Sequence, residues 1–187
     1  DESIDRDILC GANVYFINVP AETPSHSKPP RYAIINKYIV NYEPRNKLIA
    51  SQAQYWASKG KSILIAVDWV KHGILIRDSI QELIPGVRMM TGKDDSTKRS
   101  AMLRDLSSKK IKVLVSTLMR EGVDVPSLDV VFNAAGGTDT IQLIGRALRK
   151  SEGKDKATVI DFIDHQHDQT YKWSMARFKR CQKIRGF

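Results

Sequence analysis

Cysteine is almost absent from this 187-residue chain, which contains only Cys10 and Cys181. The two have no metal-ligand spacing and build no disulfide framework, so a reducing interior is expected and a zinc site is not. Long apolar runs are missing as well. No stretch approaches the roughly 18–20 residues needed to span a bilayer, so no membrane partner is expected. There is no internal repeat. A phosphate-binding loop is also lacking, although Gly60-Lys61-Ser62 imitates half of one. That loop needs the pattern G-x-x-x-x-G-K-[ST] between a strand and a helix. Here the first glycine position is Tyr55, and the triplet follows a predicted helix and precedes a predicted strand. The pairs Gly92-Lys93 and Gly153-Lys154 lack the second half of the pattern. The chain opens on DESIDRDI, with neither an initiator methionine nor a signal sequence, which suggests a piece of something longer. The expected compartment is the cytoplasm, that of the host if the protein is viral, or the nucleus if it is eukaryotic.

What is abundant is positive charge. Thirty basic against twenty-one acidic residues give +9, a balance that favours a polyanion, nucleic acid first, as partner. The length fits one ordinary domain with an arm or tail.

Along the chain, GANVYFINV reads as a strand, and PAETPSHSKPPR, with four prolines, as a connector. YAIINKYIV is a candidate strand. PRNKLIASQAQYWASKG reads as a helix with Leu48, Ile49, Ala53 and Trp56 on its apolar face, closed by Gly60. A regular alternation follows: strand 62–67, helix about 70–83, strand 87–90, helix about 95–107 and strand 112–117. It continues with strand 129–134, a helix around 142–149, strand 157–163 and a last helix from about 167. Short apolar strands alternating with amphipathic helices predict an α/β fold, a doubly wound, mostly parallel sheet covered on both faces. Ligands of such sheets bind beyond the carboxyl ends of the strands, so the loops after Val67, Met90, Thr117 and Ala134 are where function is expected.

Four stretches stand out. In QLIGRALRK, Gln142, Arg146 and Arg149 fall at i, i+4 and i+7, opposite Leu143, Ile144, Ala147 and Leu148. A solvated face and a ligand-facing stripe both fit this pattern. Gly145 inside the helix costs about 1 kcal/mol against alanine, which suggests a close approach to its backbone. In STLMREGVDVPSLDVV, Gly122 and Pro126 bracket Asp124 at a strand edge, suited to a ribose but also to an ordinary turn. In TGKDDSTKR, Thr91, Gly92 and Lys93 with backbone amides can hold a strand phosphate, with Lys98 and Arg99 adding charge; a plainly capped helix start reads the same. The closing QTYKWSMARFKRCQKIRGF has six basic residues and no acidic one. Its stripe of Tyr171, Met175 and Phe178 is read as packing onto the sheet. His165 and His167 form a close pair without a third ligand, weak grounds for a metal.

Taken in order, SILIAVDWVKHG, MTGKDDSTKRSAMLRDL, KVLVSTLMREGVDVPSLDVVFNAAG and TIQLIGRALRK closely resemble motifs IV, IVa, V and VI of the second RecA-like domain of superfamily 2 helicases. The resemblance covers roughly residues 45–165. The glutamine that opens Q-x-x-G-R-x-x-R is similar to the DEXH-type branch that includes phage and DNA-repair enzymes, whereas the DEAD-box branch opens on histidine. The resemblance implies that Arg149 is an arginine finger reaching ATP across an interdomain cleft, with Arg146 as its companion. It further implies that Gln142, Gly122 and Asp124 lie at the nucleotide, and that Gly92, Lys93, Arg99 and Thr117 lie on the nucleic-acid track. It places the Walker A lysine and the magnesium-binding Asp-Glu pair on a first RecA-like domain. The opening DES is not that pair, since no strand precedes it. Residues 1–44 are thus expected to be an arm leading in from the missing first domain, and 45–187 the C-terminal RecA-like domain with a basic last helix. ATP and Mg²⁺ are expected mainly on the missing half, DNA is favoured over RNA, and the chain alone is expected to be inactive. Two readings compete with this ATP-dependent helicase. One is a non-catalytic basic nucleic-acid-binding module; the other is a translocase that does not unwind.

Overall fold

The computed structural model describes residues 11–118, 128–138 and 156–183. Among these, strands β1 (Gly11–Val19), β2 (Ile63–Ala66), β3 (Arg88–Met90), β4 (Val113–Ser116), β5 (Val130–Asn133) and β6 (Lys156–Asp164) form one sheet. Its order is β1-β6-β5-β2-β4-β3, and every neighbouring pair is parallel. The helices are α1 (Arg31–Ile35), α2 (Glu43–Ser58), α3 (Val70–Gln81), α4 (Ser96–Ser107) and α5 (Asp168–Lys183).

The pleat explains why the strands read as continuous apolar runs. Along β2 and just beyond it, Ile63, Ile65 and Val67 join a core with Ile49 and Ala53 of α2 and Ile76 and Ile80 of α3. Leu64 and Ala66 point to the opposite core, built with Met102 and Leu106 of α4 and Cys181 of α5. Both faces are therefore covered, as a parallel sheet requires. Gly60 closes α2 as the pattern predicts. With φ +71° it lets its own N–H reach Ala57 O at 3.0 Å while Lys61 N reaches Trp56 O at 3.2 Å, the paired bonds of a Schellman cap.

Two expectations are corrected. Residues 32–40 are not a strand: α1 runs straight into a wider π-type turn, Asn36–Val40, with Asn41 N donating to Asn36 O at 3.0 Å. The β-branched run suggested extension, but Ile34 and Tyr38, one helical turn apart, are buried together against Trp173 of α5. Burial of that face overrides strand propensity. Nor is the stretch from Gly11 onward only an arm. β1 lies along β6 through nine parallel residue pairs, Gly11↔Lys156 to Val19↔Asp164, which makes it an edge of the same sheet. The proline-rich stretch after it is tied back where Ser25 N donates to Gln166 O (3.0 Å) and Asp168 N to Ser25 O (3.1 Å). No helix among the described residues is long and apolar enough to cross a membrane.

Because all strands are parallel, their carboxyl ends share one edge. From β2 the chain moves outward to β3 and returns to β4; from β5 it moves the other way, to β6. The strand order therefore reverses between β2 and β5. Ligands of doubly wound sheets bind at such a reversal, which points to the loops beyond Val67 and Ala134.

Gly136 lies in the loop beyond Ala134 with φ +72°, and a Cβ there would come within 2.8 Å of Ile39 side-chain carbons. Gly136→Ala is expected to lower stability by about 1–3 kcal/mol through strain and overpacking. A denaturant midpoint equal to wild type would refute the close approach.

Candidate nucleotide and nucleic-acid edge

The loop after β3 folds around one carboxylate. Asp94 Oδ2 accepts from Thr91 N (2.8 Å) and Thr91 Oγ1 (3.2 Å), while Lys98 Nζ donates to Asp94 Oδ1 at 2.5 Å. The Lys98 ammonium first, and then the Thr91 amide, hold the Asp94 carboxyl below its ordinary range. Asp95 caps α4 by accepting from Lys98 N at 2.8 Å. Arg99, one turn on, returns to the loop and donates to Gly92 O at 2.8 Å. Gly92 is exposed, and a Cβ on it would meet only Leu118 Cδ2, at 3.8 Å, so its backbone is open to a partner. Thr117, at the end of β4, donates its backbone N–H to Met90 O at 3.2 Å. The structure places Gly92, Lys93 and Arg99 after β3 and Thr117 at the end of the neighbouring β4. Lys98 is taken up by Asp94. Gly122, Asp124, Gln142, Arg146 and Arg149 lie outside the described residues.

The carboxyl ends of β5 and β6 hold residues that the sequence reading passed over. Arg45 of α2 and Arg177 of α5 are both fully buried. Arg45 Nε donates to Asp164 Oδ1 at 2.7 Å, and Arg177 Nε and Nη2 reach Asp161 Oδ1 at 3.0 and 2.9 Å. Asn133 Nδ2 completes the Asp161 carboxylate at 2.9 Å. Burial opposes the charge on Arg177, but Asp161 outweighs it, so the guanidinium is held more firmly protonated than usual.

One further guanidinium nitrogen of each of these two side chains reaches the backbone that leaves β5, while Arg45 Nη2 is buried without a partner. Arg45 Nη1 donates to Ala134 O at 3.0 Å, Arg177 Nη1 donates to Gly137 O, and the exposed Arg180 donates through Nη1 to Thr138 O at 2.7 Å. Three arginines from two helices therefore grip three carbonyls within five residues. A signal for them was present: Asp161 and Asp164 are the two carboxylates in a strand whose other residues from Val159 onward are apolar, and buried carboxylates demand counter-charges.

The last helix needs a correction as well. Its buried face is Thr170, Trp173, Ser174, Arg177 and Cys181. Of the stripe expected to pack on the sheet, Phe178 meets Phe16 edge-on at 5.0 Å, but Tyr171 is exposed and stacks on His165. Burial pushes the Cys181 thiol up to about 11, which removes it as a nucleophile.

Beneath Arg45, His72 Nε2 faces Asn46 Oδ1 at 3.1 Å, while Asn46 Nδ2 donates to Val40 O. The amide oxygen must therefore accept, and Nε2 carries the proton. Burial, and then the Arg45 charge, lower the His72 pKa well below its ordinary value. The unfolded chain takes up a proton near pH 6.5 that the native state refuses. This contribution is thus complete above about pH 6.5 and is lost as pH falls below it. His72→Gln, which keeps a donor to Asn46, is expected to flatten the decline of the thermal midpoint between pH 7 and 5. Parallel declines in the two proteins would contradict this account.

The six-stranded parallel sheet with helices on both faces is a RecA-like α/β domain. The sequence matches the helicase conserved C-terminal domain over residues 44–151, and the chain belongs to that family. It is 32% identical over 157 residues to the ATP-dependent DNA helicase UvsW of Enterobacteria phage T4, covering 81% of this chain and 31% of that protein. It is 30% identical over 112 residues to a putative mitochondrial ATP-dependent helicase of Schizosaccharomyces pombe, covering 58% of this chain and 18% of that protein. The chain spans less than a third of the length of either relative. The crystal structure of T4 UvsW superposes with a TM-score of 0.72 at 27% identity, over 92% of this chain and 39% of that one. The C-terminal domain of the DEAD-box protein Dbp5 shares the fold at 20% identity and a TM-score of 0.59, over 77% of this chain and 81% of that one.

Proposed function

We propose that this chain is the C-terminal half of an ATP-dependent helicase or translocase acting on nucleic acid, DNA in preference to RNA. The observation that carries the reading is the shared carboxyl edge, where the Thr91–Arg99 loop, Thr117 and the anchored 134–138 segment lie on one side of one sheet. Gly92, Lys93, Arg99 and Thr117 hold phosphates of the tracked strand, contacts that position the strand without reading its sequence. The preference for DNA rests on the name of the T4 relative and on the glutamine at position 142.

ATP and Mg²⁺ belong mainly to a first RecA-like domain of the same polypeptide. The backbone of 134–138 lies at the carboxyl edge where a nucleotide on a facing domain would meet this one. Binding of ATP between the two domains would close the cleft, and hydrolysis, transferring the γ-phosphoryl group to water, would reopen it. Arg149 and Arg146 place positive charge on the phosphates, and Gln142, Gly122 and Asp124 flank the nucleotide. The isolated chain is inactive.

The test is steady-state ATP hydrolysis by the full-length protein with single-stranded DNA, duplex DNA or RNA added. Turnover stimulated by one polymer supports the motor and names its substrate. Turnover indifferent to all three returns the chain to a basic binding module.

A further inference from the structure

The amino ends of the parallel strands share the edge opposite the one described above, and the turns that enter β2 and β4 there are crowded with cations. Residues 58–62 carry Lys59 and Lys61, residues 107–112 carry Lys109, Lys110 and Lys112, and neither turn contains an acidic side chain. All five lysines are exposed. Lys109 ties the two turns together: its Nζ donates to Gly60 O at 3.0 Å and lies 3.2 Å from Asp129 Oδ2. It does so from φ +59°, behind the end of α4, a place where glycine is ordinarily found. Lys110 lies 3.7 Å from Asp105, whereas Lys59, Lys61 and Lys112 make no ion pair with a described carboxylate. The dipole of a helix favours cations at its carboxyl end. That accounts for Lys59 behind α2, but not for Lys61 and Lys112, which stand at the starts of strands.

An aromatic ring stands beside these charges. Tyr55, in the last turn of α2, is 53% exposed; its ring meets Trp56 edge-on at 5.4 Å, and Lys59 Nζ lies 5.6 Å from its centre. An open ring braced by a neighbour and flanked by ammonium groups suits single-stranded nucleic acid, which stacks a base on the ring and lays phosphates on the cations. A duplex would use the charges but has no unpaired base to offer the ring.

We infer that the amino edge of the sheet is a second nucleic-acid surface, on which a single strand stacks a base on Tyr55 and lays its phosphates across Lys59, Lys61, Lys110 and Lys112. The inference rests on the function proposed above for its partner, nucleic acid, and not on ATP. It concerns a different face from the Thr91–Arg99 loop: from Lys61 to the far end of β2 the chain climbs roughly 20 Å at about 3.3 Å per residue. A strand held at the carboxyl edge therefore leaves the amino edge free for a second segment.

The experiment measures binding of fluorescein-labelled oligothymidylate, and of a duplex of the same length, to the full-length protein without nucleotide, by anisotropy over a range of salt. The variants are Tyr55→Ala, Tyr55→Phe and Lys61→Ala combined with Lys112→Ala; all change exposed side chains, and melting curves check the fold. Tyr55→Ala is expected to weaken single-strand binding about tenfold, the size of one lost base stack, while Tyr55→Phe, which keeps the ring, binds as wild type does. The lysine pair is expected to flatten the slope of log affinity against log salt by about 1.4, that is about 0.7 for each phosphate contact on a single strand.

Polymer-stimulated ATP turnover by the wild type, measured beside the binding, keeps the two readings apart. Stimulated turnover with affinity and slope unmoved in every variant overturns the second surface and leaves the motor. Losses in the variants beside turnover that no polymer stimulates overturn the motor and leave the surface. Tyr55→Phe as weak as Tyr55→Ala, or a duplex bound as tightly as the strand with Tyr55→Ala at wild type, overturns the stacked single strand.

Discussion

Arg149→Ala in the full-length protein is expected to lower polymer-stimulated ATP turnover by about 10³-fold, within the range measured for arginine fingers of other nucleotide hydrolases. The loss should appear in kcat and equally in kcat/KM, because a finger acts on charge that develops only as the phosphoryl group transfers. Affinity for ATP and for the strand should change little. Arg149→Lys is expected to rescue poorly: an ammonium carries the charge but lacks the planar fork that spans two phosphate oxygens. A wild-type kcat in Arg149→Ala would make the Gln142, Arg146 and Arg149 stripe a binding face and nothing more. A rise in KM with kcat unchanged would place Arg149 in binding of the ground state instead.

The motif residues and the architecture did not become legible for the same reasons. Strands β2, β4 and β5 were readable to within a residue at either end, because each is a short apolar run buried on both faces and bounded by turn residues. Parallel order followed from the alternation with helices. The stretch 32–40 misled because β-branched residues say nothing of which partner buries them; Trp173, which covers Ile34 and Tyr38, lies far along the chain. The folded loop from Thr91 to Arg99 was visible because a threonine, a glycine and charges cluster locally in the sequence, whereas its place on a phosphate track was read from the resemblance alone. The arginine grip was not visible, since Arg45 and its partner Asp164 are 119 positions apart and an arginine on an amphipathic helix looks like any solvated charge. Arg177 was counted only as one of six basic residues in the tail. The overlooked clue was Asp161 in a strand that read as apolar.

That carboxylate carries the largest stability effect expected here. Asp161→Ala leaves Arg177 fully buried without its close carboxylate partner, since burial disfavours the guanidinium charge and Asp161 does most to restore it, with only the more distant Asp164 remaining. Breaking a buried pair from one side costs about 3–5 kcal/mol, or roughly 6–20 °C in Tm for a chain of this size. Asn133 also loses the acceptor for its amide, and the guanidinium is left with Gly137 O, Phe162 O, Ser174 Oγ at 3.4 Å and the longer ion pair to Asp164 Oδ2 at 3.9 Å. Arg177→Met combined with Asp161→Leu is expected to recover much of that loss, because two apolar side chains of similar volume remove both desolvation penalties together. Equal melting of Asp161→Ala and wild type would mean that Arg177 is hydrated and that the grip on Gly137 is not built on a buried ion pair.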